Sequence, residues 1–171
     1  CGWMMWNWLI SGLALGATLV LYDGSPFHPE PARLIDLIDA EDISIFGTSA
    51  KYLAALEKTG AKPGSTHTLQ RLKSILSTGS PLSHESLEYV YTETNSDLCL
   101  SSISGGTDIV SCFALGNPVL PVWRGELQCK GLGMDVQVWN DAGQPVIGEK
   151  GELVCAQHFP SMPLVFWQYA D

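Results

Sequence analysis

Basic side chains are scarce in this chain: nine Lys and Arg stand against eighteen Asp and Glu, a formal charge of −9, and no run of Lys or Arg occurs. A surface of that sign repels a phosphate backbone, which excludes nucleic acid as a partner. Cysteine is sparse too. Cys1, Cys99, Cys112, Cys129 and Cys155 are odd in number, widely spaced and free of any C-x-x-C pair. That pattern argues against a disulfide framework and for reduced thiols in the cytosol. Asn-x-Ser/Thr acceptors are missing, and His28, His67, His84 and His158 lie too far apart for a local zinc site. The chain opens on Cys1 without an initiator methionine and stops at Asp171, just past Phe166-Trp167. Both ends are expected to be cut from something longer.

What is present suffices for a core. With 171 residues, 46% of them apolar, the chain can bury about two thirds of its unfolded surface. Residues 3–22 are almost uncharged and long enough to span a bilayer, and Gly12-Leu-Ala-Leu-Gly16 has the small-xxx-small spacing of paired membrane helices. Asn7 and the glycines lower the hydropathy, no basic flank sets an orientation, and the run changes character at Gly16. The preferred reading is a buried helix followed by a strand over residues 18–22, closed by Asp23-Gly24, with no membrane span.

From there the chain alternates. Pro29-Glu-Pro31 opens a helix through Leu34, Ile35, Leu37 and Ile38, and a short apolar strand follows at residues 43–46. A second helix over residues 50–58 ends at Gly60 and gives way to a polar loop at 62–68. A strand at 72–76, a helix at 83–93 with Ser83 as N-cap, and a strand at 98–103 complete a βαβα order. This predicts an α/β fold, a mainly parallel sheet with flanking helices, whose ligands sit at the carboxyl ends of the strands. Beyond Asn117 short strands at 135–140 and 152–155, separated by Asp141-Ala-Gly143 and Glu149-Lys-Gly151, predict a β-rich hairpin tail. Residues 1–116 are therefore read as an α/β subdomain and 117–171 as a β-rich segment of the same domain.

Two strand-to-helix turns carry the chemistry. Ser77-Thr-Gly-Ser-Pro81 offers backbone amides and hydroxyls to a ligand, although alone it is also ordinary loop punctuation. Ser102-Ile-Ser-Gly-Gly-Thr-Asp108 has two glycines for close backbone approach, a threonine hydroxyl suited to phosphate and a carboxylate suited to magnesium. On its own it also reads as a glycine turn with Asp108 as a solvated cap. Ser83 beside His84 is no nucleophile and base, because helix neighbours point to different sides; Trp3, Trp6, Trp8, Met4 and Met5 read as core by default.

Taken in order, Gly2-Trp-Met-Met-Trp6, Phe46-Gly-Thr-Ser-Ala50, Ser77-Thr-Gly-Ser-Pro81, Ser104-Gly-Gly-Thr-Asp108, Gly131-Leu-Gly-Met-Asp135 and Gly151-Glu-Leu-Val154 resemble the adenylate-forming superfamily, and within it the acyl-CoA synthetases of the acetyl and acetoacetyl type. The resemblance implies part of the large N-terminal domain of an enzyme that joins a carboxylate to the α-phosphate of ATP and then passes the acyl group to coenzyme A. It sets Gly79, Ser80 and Pro81 against the adenine, with Ser102, Ile103, Ser104, Gly105 and Gly106 on the second side. Thr107 meets phosphate and, with Asp108, forms the catalytic pair; Asp108 stands where the family commonly has a magnesium-binding glutamate. Thr48 falls on the coenzyme A channel. Met4, Met5, Thr78, Gly79 and Gly105 wall the acyl pocket, where Gly105 replaces a tryptophan that closes the pocket around acetate. Acetoacetate is the implied acid, and the free volume also admits butyrate-sized acids. A Lys-terminated phosphate loop, a Tyr-x-Thr-Gly-Asp segment and a C-terminal catalytic lysine are not in the sequence, so this piece alone is not expected to turn over. The alternative from another class is a non-catalytic, membrane-associated or structural segment.

Overall fold

The computed structural model describes residues 4–165. Helix α1 (Met4–Leu13) is followed by turns and irregular chain without a strand, then α2 (Arg33–Ala40), β1 (Ile45–Ser49), α3 (Ala50–Lys58), a single turn α4 (Pro63–Thr66) and β2 (Ser74–Thr78). Next come α5 (His84–Tyr89), which runs on as a π-helical turn over Val90–Thr94, and β3 (Cys99–Ser102). The remainder is β4 (Ser104–Gly106), β5 (Ser111–Leu115), β6 (Cys129–Lys130), β7 (Val136–Trp139), β8 (Pro145–Val146) and β9 (Glu152–Cys155). Among the described residues no helix is long and apolar enough to cross a membrane.

Strands β1, β2 and β3 form the predicted parallel sheet in sequential order, with Phe46, Ile75 and Leu100 aligned in one row. That row faces the main core, where Ile35 and Ile38 of α2, Leu53 and Leu56 of α3, and Tyr89 and Val90 pack against it. Tyr52 stacks on Phe27 at 5.3 Å and meets Phe46 edge-on at 5.9 Å. Local chemistry sets the helix starts. Ser49 caps α3 by accepting from Tyr52 N at 3.1 Å, and Ser83 caps α5 by accepting from Ser86 N at 3.1 Å. Gly60, at φ +73°, takes the left-handed conformation that ends α3.

Several expectations change. Helix α1 is not buried, with Trp8 38%, Ile10 51% and Leu13 60% exposed, so Trp8 is not core, and the polar loop at 62–68 contains the single turn α4. Residues 18–22 are not a strand: nothing among the described residues pairs with them, and Leu21 is 64% exposed. An apolar run without a hydrogen-bonded neighbour cannot be a sheet member. The strands of the parallel sheet begin one to two residues later than the apolar runs, because pairing rather than hydropathy sets their ends. Antiparallel structure also starts earlier, at Ser104 rather than beyond Asn117. Strands β4, β5 and β6 form a second sheet, and β8, β7 and β9 a third. In the third, Asn140 Oδ1 accepts from Ala142 N and Gln144 N, both at 3.0 Å, and Gly143 turns at φ +72° to close the β7–β8 hairpin.

Candidate functional site

Parallel pairing sets Ser77 beside Ser102, so β2 and β3 end together and the chain leaves both strands at the same sheet edge. Two hydrogen bonds join the exits. Ile103 N donates to Ser77 O at 2.8 Å, and Thr78 Oγ1 donates to Ile103 O at 3.1 Å. Beyond them lies a cavity of about 600 Å³ lined by Thr78, Gly79, Ser80 and Pro81 on one wall and by Ser102, Ile103, Ser104, Gly105, Gly106 and Thr107 on the other. This volume is in the usual range for a small-molecule site.

Both walls present bare backbone. Gly79 sits at φ +86°, and a Cβ built on Gly79 or Gly106 meets no atom within 4 Å. A flat ligand can therefore lie directly against main chain on either side. The second wall is a strand and not a loop: Ser104–Gly106 pairs antiparallel with β5, with a slip in register between Ser104 and Gly105. The chain then reverses through residues 107–110, where Val110 N donates to Thr107 O at 3.2 Å.

The rim comes from a segment that sequence reasoning missed. Val122, Gly125, Glu126 and Leu127 line the cavity beside Leu82, Leu87 and Leu100. Their loop is held down by Arg124 Nη2 on Glu88 Oε2 at 3.0 Å, and Gly125, at φ +81°, lies so close to His84 that a Cβ would strike its ring. Gln128 anchors the preceding turn, donating from Nε2 to Asn117 O at 3.0 Å and Leu120 O at 2.9 Å. The Trp123-Arg-Gly125 turn was the available signal, but only the fold brings it to β2. Among the described lining residues there is neither Lys nor Arg, and Glu126 is the charged one. Such a lining suits an uncharged, hydrogen-bonding body better than a polyanion.

Two predicted residues, Asp108 and Thr48, stand outside the described lining. Asp108 is exposed on the 107–110 turn, next to Thr107. Thr48 is buried in β1, in register with Ser77. The side chains of Met4 and Met5 lie outside what the structure describes, as do Gly2 and Trp3; the backbone of Met4 and Met5 opens α1. That helix nonetheless reaches the site, since Asn7 Nδ2 donates to Thr107 O at 3.1 Å. Burial pushes the Cys99 and Cys112 thiols up, away from thiolate, and neither lines the cavity.

Comparison with known proteins places the chain in a family. The profile described as AMP-binding enzyme matches residues 2–162. Acetoacetyl-coenzyme A synthetase of Rhizobium meliloti is 62% identical over all of this chain and 26% of its own length. Malonamoyl-CoA synthetase of Penicillium aethiopicum is 44% identical over 90% of the chain and 24% of its own length. The solved acetoacetyl-CoA synthetase from Streptomyces lividans superposes with a TM-score of 0.90 at 44% identity, covering 97% of this chain and 26% of that one. The chain thus spans about a quarter of the length of the relatives it matches.

Proposed function

The chain belongs to the AMP-binding enzyme family, and from that premise we propose that it forms the nucleotide and acid cleft of an ATP-dependent ligase that activates acetoacetate and transfers it to coenzyme A. The observation that carries this reading is the convergence of Thr78–Pro81 and Ser102–Thr107 on one cavity at the carboxyl ends of two adjacent parallel strands. The uncharged backbone of Gly79 and Gly106 suits the adenine, with Ser80 and Pro81 beside the first and Ser102 to Gly106 completing the second side. The phosphates then run toward the Thr107 hydroxyl. In the first step a carboxylate oxygen of the acid attacks the α-phosphorus and pyrophosphate leaves; in the second the coenzyme A sulfur attacks the acyl carbon and AMP leaves. Neither step asks the chain for a nucleophile. Its part is to orient the reactants and exclude water.

Magnesium fits this site as a companion of the nucleotide. No group of three or more His, Cys, Asp or Glu stands together among the described residues, but magnesium commonly takes one or two carboxylates and completes its shell with phosphate oxygens and water. Asp108, exposed one residue beyond Thr107, supplies one such carboxylate. When bound, the ion would draw charge off the phosphates. Thr48, one strand away, is assigned to the coenzyme A channel. The thiols of Cys99, Cys129 and Cys155 are free, which supports the reducing cytosol as the compartment.

For the acid, Met4, Met5, Thr78, Gly79 and Gly105 are assigned to the acyl pocket. The relatives' names support acetoacetate and also raise a second reading. Malonamate, the acyl unit named for the Penicillium relative, differs from acetoacetate only in carrying an amino group where acetoacetate has a methyl. Both keep a carbonyl β to the carboxylate. The pocket is therefore expected to accept the β-carbonyl acid shape, with acetoacetate preferred.

A chimaera tests both points: this chain replaces the matched segment of the Rhizobium meliloti synthetase, with which it aligns end to end. Acetoacetate-dependent pyrophosphate release is expected from the chimaera and not from the chain alone, with malonamate a weaker substrate and acetate poor. A folded chimaera that releases no pyrophosphate with acetoacetate, beside an active parent, refutes the reading.

A further inference from the structure

The turn that carries Thr107 and Asp108 is held from outside its own hairpin. Asn7, on α1, donates from Nδ2 to the Thr107 carbonyl oxygen at 3.1 Å across a separation of 100 residues, and the contact is partly buried. The same oxygen accepts from Val110 N at 3.2 Å, closing the turn. Val110 ends it at φ +48°, in the left-handed region that a β-branched residue resists. Strain of that kind persists only where the surroundings over-determine the conformation. The hairpin itself offers little: β4 has three residues and its pairing slips between Ser104 and Gly105. Asn7 supplies a fixed point from α1.

We propose, resting on the function above, that Asn7 is a positioning residue for adenylate formation. By holding the Thr107 carbonyl it fixes the turn that presents the Thr107 hydroxyl and the Asp108 carboxylate to the nucleotide phosphates. Through this contact it acts on Thr107 and on neither reactant. Donation is what matters, because a carbonyl can only accept. Aspartate, of the same size, sets an anion against that oxygen and near the phosphates, whereas glutamine keeps an amide donor on a longer stem. Met4, assigned above to the acyl pocket, lies three residues before Asn7 in the same helix.

In the chimaera, Asn7→Ala is expected to raise the KM for MgATP in acetoacetate-dependent pyrophosphate exchange by about tenfold. Thioester formation from supplied acetoacetyl-adenylate and coenzyme A stays within twofold of the unsubstituted protein. Asn7→Asp loses more and Asn7→Gln recovers part of the loss. A purely structural role would depress both half-reactions together; that result, or an unchanged KM, overturns the proposal. Two readouts stand apart from turnover. Calorimetric MgATP affinity of the chimaera should fall by the same factor in Asn7→Ala, and in the chain by itself the amides of residues 108–110 should exchange with solvent faster than in the unsubstituted chain. A chimaera that binds MgATP but activates no acid refutes the function, while the affinity change still judges Asn7. Unchanged affinity and exchange in Asn7→Ala refute the role of Asn7 and leave the function standing.

Discussion

Replacing Gly116 with alanine should loosen the joint between the parallel sheet and the second sheet. Gly116 directly follows β5, and its N–H donates to Ser101 Oγ of β3 at 2.7 Å. A Cβ there would strike Ser101 and stand 2.7 Å from Gln128 Oε1, the atom that accepts from Asn117 N at 3.0 Å. Ser101 is 4% exposed and sits in the middle of a strand, so it cannot swing away. Overpacking of this kind costs about 1–3 kcal/mol, and losing the Gly116 hydrogen bond adds about 1, for a total of about 2–4 kcal/mol. For a chain of this length that lowers the melting temperature by roughly 5–12 °C. Urea unfolding followed by tryptophan fluorescence measures it. The same substitution in a Ser101→Gly background, which removes the struck side chain, should cost at least about 1 kcal/mol less. A Gly116→Ala protein within about 0.5 kcal/mol of the original, or an equal cost in both backgrounds, would refute this account of how β5, and with it the β4 wall of the cleft, is set.

Three further predictions follow from single residues. Burial, reinforced by the charges of Glu93 and Glu57, pushes the Tyr89 phenol up to about 12 from an ordinary value of 10.0; its contribution to stability is whole below pH 10 and is lost as pH rises toward 12. Tyr89→Phe should flatten part of the alkaline limb of stability and cost about 1 kcal/mol at neutral pH through the lost hydrogen bond to Ala61 O; an unchanged limb contradicts it. Hydrogen bonds from the Thr68 hydroxyl and the Leu69 N–H hold the Asp39 carboxyl below its ordinary 3.8, so its contribution is present above that value and disappears as pH falls beneath it. Asp39→Asn should therefore make the urea midpoint less sensitive to pH in that acid range. In the chimaera, Gly105→Trp should shift relative kcat/KM from acetoacetate toward acetate by at least about tenfold, by filling the proposed acyl pocket; an unchanged ratio removes Gly105 from that wall.

Local physics made much of this protein legible in its sequence. Helical spacing at Leu34, Ile35, Leu37 and Ile38, the caps Ser49 and Ser83, and the stop at Gly60 all act within one or two turns, so α2, α3 and α5 could be read directly, and their alternation with apolar runs gave a parallel sheet. The two motif turns were visible for the same reason. Their meeting in one cavity followed from the rule that parallel strands release their chains at one edge. What depends on partners distant in the chain was not legible. Residues 18–22 have the composition of a strand but no neighbour to pair with among the described residues, and Ser104–Gly106 looks like a loop until β5 lies beside it. The rim at Val122 to Leu127 and the Asn7 to Thr107 bond join segments tens of residues apart, through contacts with no local periodicity. Sequence alone determined α2, α3, α5, their alternation with apolar strands, and which turns leave the parallel sheet at one edge, whereas tertiary structure decided what holds those turns in place, because hydrogen-bond partners across a fold are chosen by packing.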